Sequence, residues 1–150
     1  MSFYRRNRIR RLARKSLPYH GRMHYTEGPG RVELFHRSRG DFLRAGADCS
    51  QFSASLCHWV GVKDVTDRDY TGTLAQKGKR IAKPKRGAFV FFGVAPFVHM
   101  GVLVRPWNTR TWHVIEFGDQ AAPDETPLPV LLAYFEREGH PGHEFRDLTA

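Results

Sequence analysis

Three short apolar runs crowded into residues 88–117 constrain the fold most. They are Ala88-Phe89-Val90-Phe91-Phe92, then 98–104, then 111–117, each rich in β-branched and aromatic residues. The short connections between them predict three antiparallel strands. Upstream the period changes: Phe52, Leu56, Trp59 and Val60 fall at helical spacing along one apolar face. A helix followed by an antiparallel sheet is an α+β pattern. A length of 150 residues with 41% hydrophobic content allows one domain with a core and is too short for two of ordinary size.

The start of that helix carries the chemistry. Asp48 is a good N-cap and Gln51, three residues on, completes a capping box, which puts Cys49 at the first helical position. A thiol is easiest to ionise there, but a helix terminus contributes only on the order of 1 kcal/mol, so a nucleophile needs an imidazole as well. His99, at the head of the second predicted strand, supplies one. A polar group on the next strand then orients the imidazole, and His113 is the obvious candidate. With the turn centred on Asn108, His113 faces Leu103 and shares the side of the sheet that carries His99, whereas a slip of one residue moves it to the other side. The bland reading of a cysteine on an apolar stripe is a small buried hydrophobe, and it is the expectation for Cys57. Cys49 and Cys57 lie about 12 Å apart along a helix, too far to bridge, so both thiols are expected to be free.

The rest of the chain frames this core. The first fifteen residues carry Arg5, Arg6, Arg8, Arg10, Arg11, Arg14 and Lys15 and predict a basic arm or short helix. Residues 16–47 predict loops and turns, and residues 61–87 a basic surface connection. Beyond Gly118 a Pro-rich loop leads to a helix over 130–138 ended by Gly139, followed by an irregular tail over about 139–150. With 24 Lys plus Arg against 15 Asp plus Glu, the net charge of +9 points to a polyanionic partner, an anionic cell-wall polymer or a nucleic acid. No apolar stretch is long enough for a membrane span, and no apolar segment follows the N-terminal arginines as in an ordinary signal peptide.

Three blocks together resemble the NlpC-type cell-wall cysteine peptidases: Asp48-Cys49-Ser50-Gln51-Phe52, Gly87-Ala88-Phe89-Val90-Phe91-Phe92 and His99-Met100-Gly101-Val102-Leu103-Val104. In that family the first block holds the nucleophile, the second is a core strand and the third opens with the general base. The resemblance covers roughly residues 45–117 and implies a papain-like thiol peptidase core, a helix carrying Cys49 packed on an antiparallel sheet. Tyr70-Thr71-Gly72-Thr73-Leu74 together with Ala47-Asp48-Cys49 is similar, more narrowly, to the peptidase domains of lysins from phages of actinobacteria. The chain departs from the family pattern at Gln51, where glycine is usual, and at Ala88, which replaces an acidic residue. Aligning 114–118 with the third catalytic block puts Phe117 at the polar position, a register in which Glu116 or Asp119 replaces His113 as the orienting group.

The expectation is therefore a thiol hydrolase that cleaves an amide bond in bacterial peptidoglycan, with Cys49 as nucleophile, His99 as base and His113 orienting it. No metal or organic cofactor is implied. The resemblance to phage lysins implies accumulation in the host cytoplasm or transport in the virion. Two other classes compete: a non-catalytic virion or wall-binding protein on the same scaffold, and a basic nucleic-acid-binding protein.

Overall fold

A computed structural model describes residues 2–150 and shows an α+β fold. Its helices are α1 (Ser2–Ser16), α2 (Cys49–Trp59), the single turn α3 (Thr71–Leu74) and α4 (Leu128–Arg137). Two tiny strands, β1 (His24–Tyr25) and β2 (Gly46–Ala47), pair in parallel. The other six are β3 (Lys79–Ile81), β4 (Phe89–Phe92), β5 (His99–Val104), β6 (His113–Glu116), β7 (Asp124–Pro127) and β8 (His143–Asp147). They form one antiparallel sheet in the order β3-β8-β4-β5-β6-β7.

The sheet is covered on both faces. Phe89, Phe91, Met100, Val102, Val104, Ile115 and Phe117 pack with Ile9 and Leu12 of α1 and Phe52 and Leu56 of α2. Val90, Phe92, Leu103 and Val114 pack on the other side with Leu128, Leu131 and Phe135 of α4. That is why β4 and β5 read as unbroken apolar runs: every residue of both is buried. Among the described residues no helix is long and apolar enough to cross a membrane.

The sheet holds twice the three strands expected from 88–117. β3 and β7 are edge strands with no buried residue, so they carry no apolar alternation to betray them. The larger correction concerns the last residues. Instead of an irregular tail, β8 lies inside the sheet between β3 and β4. Its sequence, His-Glu-Phe-Arg-Asp, has one apolar residue, because its polar side chains find partners within the fold. Glu144 pairs with Arg80 and Arg146 at 3.1 Å each, and Asp147 pairs with Arg6.

The basic N-terminal segment is a docked helix. Ile9, Leu12, Ala13 and Ser16 of α1 are buried, and Arg14 reaches Glu125 at 3.1 Å. Gly87, at φ +80°, lets the backbone pass so close that a Cβ there would lie 1.9 Å from the Arg6 carbonyl oxygen. At the far end of the chain α4 matches its expected position, and Gly139 follows it at φ +85°.

Candidate active site

The loop before α2 fixes the thiol. Asp48 is extended, and its Oδ1 accepts from the Gln51 backbone N–H at 2.8 Å and from the Ser50 hydroxyl at 2.8 Å. Its Oδ2 accepts from Arg31 Nε at 2.7 Å. The same guanidinium donates to Ser50 Oγ at 3.1 Å and to the Asp69 carbonyl at 2.7 Å. Only half of the expected capping box forms. Gln51 does not reach back to Asp48; its Nε2 donates to the carbonyls of Asp69 at 2.9 Å and Thr66 at 3.2 Å. Gln51 thus holds the segment leading into α3, and Thr71 at the head of α3 places its hydroxyl 3.7 Å from Cys49 Sγ.

His99 opens β5, with only 7% of its surface exposed. Its ring stacks on Phe92 (centroids 5.9 Å apart) and on Phe135 (5.5 Å). Its Nε2 lies 2.5 Å from Glu116 Oε2. Burial by itself pushes the imidazole down, but hydrogen bonding and charge from Cys49 and Glu116 outweigh it and carry His99 up to about 10. With Nε2 committed to Glu116, Nδ1 is the nitrogen that remains for the thiol.

Register decides which strand residue joins His99. β5 and β6 pair Val102 with Ile115, Leu103 with Val114 and Val104 with His113. Continuing that ladder sets Glu116 opposite Gly101, on the face that carries His99 and Leu103. The connecting residues 105–112 centre between Asn108 and Thr109, not on Asn108. That difference is the one-residue slip that sends His113 to the opposite face. His113 is therefore not brought to Cys49 and His99; its Nδ1 lies 2.8 Å from Glu125 Oε2. Asp119 is also occupied elsewhere, its Oδ1 accepting from the Ala121 N–H at 2.9 Å. Of the three residues considered for orienting His99, the structure brings Glu116 alone to it.

Two glycines make room for this contact. A Cβ on Gly101 would lie 2.4 Å from Val114 Cγ1 and 3.3 Å from Glu116 Cβ, and one on Gly118 would lie 3.2 Å from His99 Cε1. Tyr25 adds a wall that no periodicity announced. Its ring lies 5.8 Å from Phe117, which stacks on Phe52 behind Cys49. Its hydroxyl donates to Glu27 at 3.0 Å. Burial, that hydrogen bond and the nearby Cys49 hold the phenol well above its ordinary range. Cys57 is fully buried, and burial pushes its thiol up in the same way, as befits a packing residue.

Beside Thr71 runs a groove of about 400 Å³ lined by Tyr70, Gly72, Pro96, Phe97, Glu144 and Arg146. A larger cavity, about 510 Å³, lies along β3 and β8, and no cysteine, serine or threonine lines it. Among the described residues no three His, Cys, Asp or Glu side chains converge as a metal site. No protein-family model matches the chain, and no curated protein matches it.

Proposed function

We propose that the protein is a thiol hydrolase that cuts an amide bond of bacterial peptidoglycan, with Cys49 as nucleophile, His99 as acid and base, and Glu116 as the group that orients His99. The observation that carries this reading is the contact of Glu116 Oε2 with His99 Nε2 at 2.5 Å, which leaves the other ring nitrogen, Nδ1, to serve Cys49 in the reaction. A carboxylate on the far nitrogen holds the ring in one tautomer and stabilises its charged form.

In the first step His99 Nδ1 already holds the proton of the Cys49 thiol, as its raised value implies, and Cys49 Sγ attacks the scissile carbonyl carbon as the thiolate. The backbone N–H of Cys49, one of the helix donors without a partner inside the helix, stabilises the oxyanion. Collapse breaks the C–N bond as His99 returns its proton to the leaving amine, and a thioester remains. Water, giving a proton to His99, then attacks the thioester and releases a carboxylic acid and the thiol.

The choice of peptidoglycan rests on the three sequence blocks that resemble NlpC-type peptidases. A helix-borne thiol packed on an antiparallel sheet suits the papain-like core of that family, and the charge of +9 suits an anionic wall. A phage lysin is the context that the Tyr70–Leu74 segment favours. The test is lysis of purified walls by wild type and by Cys49→Ala at matched circular dichroism. Loss of lysis in the variant supports the reading and undiminished lysis overturns it. Mass spectrometry of the released fragments names the bond.

A further inference from the structure

The arginines of the N-terminal segment are not all spent on the fold. Within α1, Arg6 pairs with Asp147 and Arg14 with Glu125, but among the described residues Arg8, Arg10, Arg86 and Arg105 meet no carboxylate within ion-pair distance. Large aromatic rings stand exposed among them: Phe3 at 75%, Tyr4 at 58% and Trp107 at 91%. The Arg86 guanidinium lies 5.2 Å from the centre of the Trp107 ring, and Arg8 lies 5.5 Å from that of Tyr4. Phe3, Asn7, Arg10, Arg86 and Trp107 enclose a pocket of about 220 Å³. Arg10 is anchored in its wall by the Asn7 side chain at 2.7 Å, and Arg86 by the Arg105 carbonyl at 3.3 Å.

This surface is separate from the thiol. Trp107 lies three residues beyond Val104, the last residue of β5, and His99 is the first, so the full strand of about 17 Å lies between them. Burial, together with the like charges of Arg14, Arg11 and Arg86, holds the Arg10 guanidinium below its ordinary range, a strain that an incoming anion relieves.

We propose that the pocket between Phe3 and Trp107 binds single-stranded nucleic acid, with bases stacked on the two rings and phosphates held by Arg10 and Arg86. A polyol-phosphate wall polymer engages the guanidinium groups and leaves the rings without a role. A duplex engages phosphates and keeps its bases stacked on each other. A flexible strand with flat bases uses both halves of the surface. The inference is independent of the hydrolase reading, because no residue of the thiol site takes part.

The test uses full-length protein, a labelled oligothymidylate of about twelve nucleotides and, in parallel, a polyribitol phosphate of similar charge. The oligonucleotide is expected to quench tryptophan emission and to bind with an affinity that falls steeply with salt. Trp107→Leu is expected to weaken binding about tenfold or more and to abolish most of the quenching. Arg86→Gln is expected to weaken binding and to lower the salt slope by about one. Cys49→Ala should bind as wild type does, which separates this result from the fate of the hydrolase reading. Absence of oligonucleotide binding, equal binding by Trp107→Leu, or tighter binding of the polyribitol phosphate each overturns the proposal. Unchanged thermal midpoints show that the variants are folded.

Discussion

Glu116 meets His99 across the space that Gly101 leaves open on the intervening ladder. Glu116→Gln keeps the size of the side chain and removes its charge, so it is expected to lower kcat about 10²- to 10⁴-fold with little change in KM. His113→Ala, on the opposite face, is expected to leave wall hydrolysis within about threefold of wild type and to lower stability by about 1 kcal/mol through loss of its contact with Glu125. Steady-state kinetics on both variants test the assignment; the reverse ranking would return His113 to the site.

Gly101→Ala fills the gap. The added methyl meets Val114 at 2.4 Å and must push β5 from β6, for about 1–3 kcal/mol of lost stability. Because the same shift carries Glu116 from His99, activity is expected to fall further than the loss of folded protein explains. Active-site titration against the folded fraction measures the difference.

The charged form of His99 is held by the native state, its value raised from an ordinary 6.5 to about 10 by Cys49 and Glu116 against the opposing effect of burial. A raised value means that this contribution to stability is complete below about pH 6.5 and fades as pH climbs through about 10. Urea midpoints measured across that window are expected to decline in wild type and to decline less in Cys49→Ala and Glu116→Gln, which each lack one of the groups that raise His99. A slope identical in all three proteins would contradict the coupling.

Arg31 ties Asp48, Ser50 and the Asp69 carbonyl together and, with Gln51, holds the head of α2 against the head of α3. Arg31→Met leaves the largely buried Asp48 carboxylate without its partner and is expected to cost roughly 1–3 kcal/mol. Arg31→Lys keeps the charge but cannot form the fork, and is expected to restore stability only in part. Chemical denaturation ranks the three.

A chain ending at Gly142 lacks β8. If residues 143–150 were a loose tail the truncation would be harmless. Since they fill the interior of the sheet, it is expected to abolish cooperative unfolding and near-ultraviolet dichroism.

The sequence makes legible what burial makes apolar. β4, β5 and β6 stand out because both faces of the sheet are covered there, and α2 stands out through its apolar stripe and the Asp48 cap. The positions of Cys49 at the head of α2 and His99 at the head of β5 follow from those elements alone. β3, β7 and β8 escape notice because most of their side chains are polar and several are satisfied by ion pairs, while only Ile81 and Phe145 pack against the core. Glu116 stands out in the sequence only as one alternative to His113, for a different reason. Its position depends on a register, and the register depends on where the turn over 105–112 is centred, a difference of half a residue that no local pattern records. Tyr25 and Arg31 lie in a region of turns whose long-range contacts have no periodic signature.

The place of β8 in the sheet also sets an order on folding. β3 has no strand neighbour except β8, so residues 79–81 remain unpaired until residues 143–147 arrive. The hairpins linking β4, β5 and β6 need only nearby residues and can form first. Cys49, His99 and Glu116 are thus all synthesised, and the strands carrying two of them can be paired, while the sheet still has an open flank. The exposed edge of β4 at that stage is the point at which a stalled chain would aggregate or recruit a chaperone.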